Sequence, residues 1–290
     1  MAPWMMATET GENKVQPNLL AWLEETNALR WACHGDDEDL VRFLLSAGIA
    51  PNENAIVQAA AKAREKGDLR VLGLLLDAGW DINKPIRDGT PILGAFIRHP
   101  NLVSWCLSRG ADPNAPSGSA TSRTIMEFAA AYASPATVRL LVEEHGASVT
   151  GGSLVAHASM VHAEISPPVK NPKPSSGTEH GRLEVARFLL DAGAPVDAYH
   201  LQNRGDDGGR PQQQERTCCG LTEAVLFGQQ NALHFAAWGG RTDMVRLLLE
   251  RGADRTAPTC SMWTDNATLS PLEFALKYGQ DEVADLLREA

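Results

Sequence analysis

The stretch NALHFAAWGGRTDMVRLLLERGADRT, from Asn231 to Thr256, decides the fold. Leu233, Ala236 and Ala237 recur at three- and four-residue spacing and define a short helix with one small-residue side. Met244, Val245, Leu247, Leu248 and Leu249 define a second helix with a larger apolar face. Between them, GGRTD breaks the first helix and starts the second, with Thr242 as the candidate cap. Gly252 suits the left-handed position that ends a helix. Alanines let the first helix approach its neighbours closely, and the second helix brings bulk to the seam. The stretch predicts a helical hairpin shaped for stacking.

Similar endings recur along the chain. LLSAG, LLDAG, CLSRG, VEEHG, LLDAG and LLERG place glycines at 48, 79, 110, 146, 193 and 252. The first two intervals are 31 residues, the third is 36, and the later ones lengthen to 47 and 59. A unit of about thirty residues with enlarged later copies explains them. On these residues the chain resembles the ankyrin-repeat family, whose unit of about 33 residues is a turn plus two antiparallel helices. The resemblance follows the pattern TPLH…A…G…LL…GAD from about Asn27 to Ala290. Asn231-Ala232-Leu233-His234 stands at the TPLH position. So do Asn27-Ala28-Leu29-Arg30, Asn54-Ala55-Ile56-Val57, Thr90-Pro91-Ile92-Leu93, Thr124-Ile125-Met126-Glu127 and Ser270-Pro271-Leu272-Glu273. What the resemblance implies is an all-α ankyrin-repeat solenoid, its helix-turn-helix units joined by turns or short β-fingers.

On that reading residues 16–290 form one domain of six to seven repeats, at roughly 24–53, 54–84, 85–115, 119–151, 152–198, 230–256 and 266–290. Residues 1–15 read as a flexible lead-in. Residues 16–26, with Leu19, Leu20, Trp22 and Leu23, suit a capping helix, because a solenoid end otherwise exposes its stacking surface. Two segments interrupt the pattern. EISPPVKNPKPSSGTE, 164–179, is rich in prolines that remove backbone donors. YHLQNRGDDGGRPQQQERTCCGLTEAVLFGQQ, 199–230, begins polar and glycine-rich and ends apolar enough for a short helix or a packed plug.

The formal charge is −10 and the pI about 5.3, with a run of acids at Asp36 to Asp39. That balance disfavours nucleic acid and anionic membrane as partners, since both need basic surface. No window approaches a membrane span, and no basic-then-apolar leader opens the chain. Five cysteines without a CxxC pair fit a reducing compartment, cytoplasmic or nuclear, and give no zinc framework or dense disulfide set. Neither a metal nor a cofactor is expected: RGDDGG lacks the lysine and hydroxyl of a phosphate loop.

Site candidates follow from the family geometry, in which turn fingers and first helices line a concave face that commonly binds partners. The two interruptions border this groove in adjacent repeats. Trp238 follows the paired alanines, Tyr132 lies in the fourth repeat, and Phe227 approaches from the insertion; all three are candidate binding residues. Trp31 and Trp105 read as packing residues of the repeat helices. His234, at the TPLH histidine, is implied to hold the repeat turn, with Gly252 as its structural companion. His157 and His162 are five apart, a spacing that does not put both on one helical face, and either is only a weak acid/base candidate. Cys218 and Cys219 are adjacent, strained for a disulfide and weak as nucleophiles. These readings favour a non-catalytic scaffold that recognises another protein. The alternative is a protein that binds an apolar small molecule, or an isomerase or cyclase, with its pocket at the enlarged fifth and sixth repeats.

Overall fold

The computed structural model describes residues 22, 27–86, 89–115, 124–151, 153–160, 179–198, 230–260 and 268–289. The contacts gather into two units, Met1–Ala111 and Asp112–Ala290. In the first, helices α1 (Ala28–Gly35), α2 (Glu38–Ser46), α3 (Glu53–Lys66), α4 (Arg70–Asp77), α5 (Ile92–Ala95) and α6 (Pro100–Ser108) form successive pairs. There α1 packs on α3 and α2 on α4, so like members of the pairs stack on one another.

The second unit repeats this plan. It holds α7 (Ile125–Tyr132), α8 (Pro135–Arg139), α9 (Leu154–Ser159), α10 (Glu179–Asp191), α11 (Ala232–Trp238), α12 (Thr242–Glu250), α13 (Pro271–Lys277) and α14 (Asp281–Glu289). Helices α7, α9, α11 and α13 make an inner row, each against the next, while α8, α10, α12 and α14 make an outer row. Ala236, Ala237, Val245 and Leu248 are fully buried where α11 and α12 meet their neighbours. Strands β1 (Thr259–Cys260) and β2 (Thr268–Leu269) pair antiparallel, a single short ladder among the described residues. The described protein is all-α apart from it.

Local chemistry starts and stops these helices. In α7 the Thr124 hydroxyl accepts from Glu127 N (3.1 Å) while the Glu127 carboxylate accepts from Thr124 N (2.9 Å), which satisfies two otherwise orphaned donors. Ser270 and Glu273 do the same for α13. Gly252, at φ +81°, carries the left-handed turn that a side chain would strain. Thr242 does not cap α12; Arg241 holds that place, and its side chain is used elsewhere. Helix α3 starts before the TPLH-like Asn54, because the Asn52 side chain accepts from Ala55 N (3.0 Å). The ending LLVEEHG, with more residues between its leucines and its glycine than LLSAG has, is absorbed as a π turn, Leu140–Glu144, after which Ala147 N reaches back to Leu141 O (2.9 Å).

Three of the four acids in the run at 36–39 find partners inside their own unit. Asp36 pairs with Lys66 (2.7 Å) and Glu38 with Arg42 (2.7 Å) and Arg70 (3.0 Å). The Asp37 side chain accepts from Leu40 N (3.0 Å) and starts α2. Trp31 departs from its sequence reading: it is exposed rather than packed.

Two polar devices tie pair to pair. After α4, α6 and α12 an Asx turn forms, with Asp81 accepting from Asn83 N, Asp112 from Asn114 N and Asp254 from Thr256 N (2.8–2.9 Å). From these turns Asn83 Nδ2 donates to Gly110 O (3.2 Å), and Asn114 Nδ2 donates to Gly146 O (3.0 Å) while its Oδ1 accepts from Ser148 N (2.8 Å). Asp197 takes the same place after α10 and accepts from Asp254 N (3.2 Å). The second device closes the carboxyl ends of the inner helices. Arg182 donates to the carbonyls of Ala130 and Ala133, Arg241 to those of Ala158 and Ser159 (3.2 Å), and Gln280 to that of Trp238 (3.1 Å). Both arginines are buried, and the carbonyl ends they meet are where cations are favoured.

Candidate functional site

The stretch Asn231 to Thr256 forms α11 and α12 as a hairpin, with His234 at its polar centre. His234 is fully buried. Its Nε2 lies 3.2 Å from Leu269 O, while its Nδ1 lies 2.7 Å from Asn231 Oδ1 and 3.4 Å from Asn231 N, so each ring nitrogen has an oxygen to donate to and the tautomer sets which one does. Asn231 in turn accepts from His234 N (3.2 Å) through its side chain and donates Nδ2 to Asp197 Oδ1 (3.2 Å). One cap thus joins the turn after α10, α11 and β2. Burial pushes the His234 pKa down to about 4, against the pull of the Leu269 and Ala257 carbonyls. The imidazole is neutral near pH 7 and committed on both nitrogens.

Aromatic rings extend this hairpin toward the last pair. His234 meets Phe274 edge-on (5.8 Å), Phe274 meets Tyr278 (4.9 Å), and Tyr278 meets Trp238 (6.5 Å). Trp238 is half-buried at the end of α11. Its indole Nε1–H is enclosed with no acceptor among the described residues, which costs stability. Tyr132 is half-buried at the end of α7, beside Phe128 (6.3 Å). Helix α9 packs between α7 and α11, so Tyr132 and Trp238 sit on helices that are not neighbours in the row. They do not meet.

His157 lies in α9, fully buried, with Nδ1 at 2.9 Å from Ser153 O and 3.2 Å from Ser153 Oγ, and 4.0 Å from the Glu127 carboxylate. That network belongs to the start of α9 rather than to an open groove. His162, Cys218, Cys219 and Phe227 lie outside the described residues, as do nearly all of the segments 164–179 and 199–230. Cys33 and Cys106 are buried thiols whose pKa burial pushes up to about 12, so neither is a nucleophile near neutral pH. Among the described residues no group of three or more His, Cys, Asp or Glu is placed to hold a metal ion, and no helix is long and apolar enough to cross a membrane.

Sequence reasoning missed Arg182, Arg241 and Asp197. Burial, and then the positive charge of Arg241, push the Arg182 pKa down to about 10. The only trace in the sequence is register: Gly181-Arg182, Gly240-Arg241 and Gly279-Gln280 open equivalent outer helices. For Asp197 desolvation is the largest influence and raises its pKa, with the neighbouring Asp254 charge adding to it and the Asp254 N–H opposing it.

No curated protein matches the chain. A family model described as ankyrin repeats (3 copies) matches residues 212–290, beginning inside the segment read from the sequence as the second interruption. That part of the chain, which holds α11 to α14 and the β1–β2 ladder, is similar to three ankyrin repeats.

Proposed function

We propose that the protein is a recognition module whose ankyrin-type repeats extend beyond 212–290 into both units and whose inner helices present the partner-binding face. Ankyrin repeats in general mediate protein–protein interaction, and the extension is supported by the recurrence of one bridging position at Asn83, Asn114 and Asp197. The observation that carries the reading is the separation of Tyr132 from Trp238. Two half-buried aromatics on inner helices flanking α9 suit the spread of a protein surface, whereas a small ligand spans too little to use both. His234 and His157 are held in structural networks, which supports recognition over acid/base chemistry at those positions.

The test uses the full chain, immobilised, with capture from native extract and parallel extraction of bound small molecules. Tyr132→Ala and Trp238→Ala are each expected to reduce the same captured protein about tenfold or more, as aromatic hot spots do, without loss of the folded state by circular dichroism. Loss of an extractable small molecule from Trp238→Ala alone, with protein capture unchanged, would instead support a ligand-binding pocket.

A further inference from the structure

Aligned on their glycines, the first and sixth pairs have the same apolar positions in opposite surroundings. Trp31, Leu40 and Phe43 are 59, 42 and 53% exposed, whereas their counterparts Phe235, Met244 and Leu247 are 8, 1 and 2% exposed. The counterparts are buried because α9 packs against α11 and α10 against α12. A repeat end that meets water is ordinarily polar on its stacking face. Here that face stays apolar, and it continues an interface the rest of the chain buries.

We propose that residues 16–26 of this chain dock on the Trp31, Leu40 and Phe43 face as a single helix that closes the first repeat. Leu19, Trp22 and Leu23 recur at three- and four-residue spacing, so one helix brings them to one side. Trp22 has helical backbone and is itself 56% exposed, which leaves apolar surface on both sides of the junction to be buried together. Asn27 adopts a left-handed conformation, φ 53° and ψ 41°, immediately before α1, a break at which the chain is able to turn back on α1. Direct linkage through Asn27 holds the segment at a high effective concentration, an advantage no separate partner has. The proposal rests on the repeat alignment of the first unit and is independent of what the inner helices recognise.

Hydrogen exchange on the full chain, read by mass spectrometry, tests it. Leu19→Lys with Leu23→Lys should speed exchange across residues 38–46 by about tenfold or more and leave 242–250 unchanged. Phe43→Ser should reciprocally speed exchange in 16–26. The wild-type mass should stay that of one chain across a hundredfold concentration range. Unchanged exchange at 38–46 in the lysine variant overturns the proposal. So does a concentration-dependent mass that Phe43→Ser abolishes, because a second copy would then be the cover.

Discussion

The hairpins α1–α2 and α11–α12 are built on one pattern and anchored to different degrees. Both end on a left-handed glycine, Gly48 and Gly252, and both bury their small residues. At the start of α11 the Asn231 side chain caps the helix and His234 reaches β2; at the start of α1 Asn27 makes no side-chain cap and Arg30 stands where His234 does. Periodicity makes a hairpin, and the residues at its cap and its outer seam decide how firmly it is tied to a neighbour.

The largest break in this comparison should come at the seam. Met244→Ala removes a fully buried side chain and is expected to cost ~2–5 kcal/mol in urea unfolding. Leu40→Ala, at the equivalent position, should cost less, and its cost should vanish once residues 16–26 carry Leu19→Lys and Leu23→Lys.

Next comes acid. Because the folded-state pKa of His234 lies near 4, below its usual 6.5, the unfolded chain takes up the proton first as pH falls. Stability from His234 is full above pH 6.5 and is lost as pH falls through about 4, by roughly 2–4 kcal/mol. His234→Gln should flatten the part of the pH profile that lies between these values, and Arg30→Gln should leave the profile as it is.

The caps give a smaller contrast of opposite sign. Asn231→Ala should cost ~0.5–2 kcal/mol, since the N–H of His234 loses its acceptor. Asn27→Gly should stabilise by a few tenths of a kcal/mol, because glycine takes up the left-handed conformation more easily. Thermal unfolding of both variants reads the difference.

How far the sequence foretold this depends on the range of the interaction. The hairpin at 231–256, the left-handed Gly252 and the capping boxes at Thr124 and Ser270 are local, and their residues lie within a few positions of one another. The π turn follows from LLVEEHG, where more residues separate the leucines from the glycine than in LLSAG, a difference the shared glycine register hides. Arg182 and Arg241 reach carbonyls 49 to 83 positions away, and no local pattern marks a side chain that will meet a distant helix end. Trp31 was misread for the complementary reason: helical spacing shows which residues share a face, not whether anything covers that face. The candidate site divides in the same way. Trp238 and Tyr132 were placed from register, while their separation needed the packing of α9 between them.

Asp197 offers the most direct test of the claim that one repeated bridge ties successive pairs. It stands where Asn83 and Asn114 each donate to the glycine carbonyl one repeat on, yet an ionised carboxylate has no proton to give. Its raised pKa means that stability falls as pH rises through the interval between its unfolded and folded values. Asp197→Asn should restore a donor toward Gly252 O and remove the repulsion from Asp254, raising stability by ~0.5–1.5 kcal/mol at pH 7 in urea unfolding. The gain should shrink as pH is lowered toward 4. Destabilisation by Asp197→Asn at pH 7 would contradict the account.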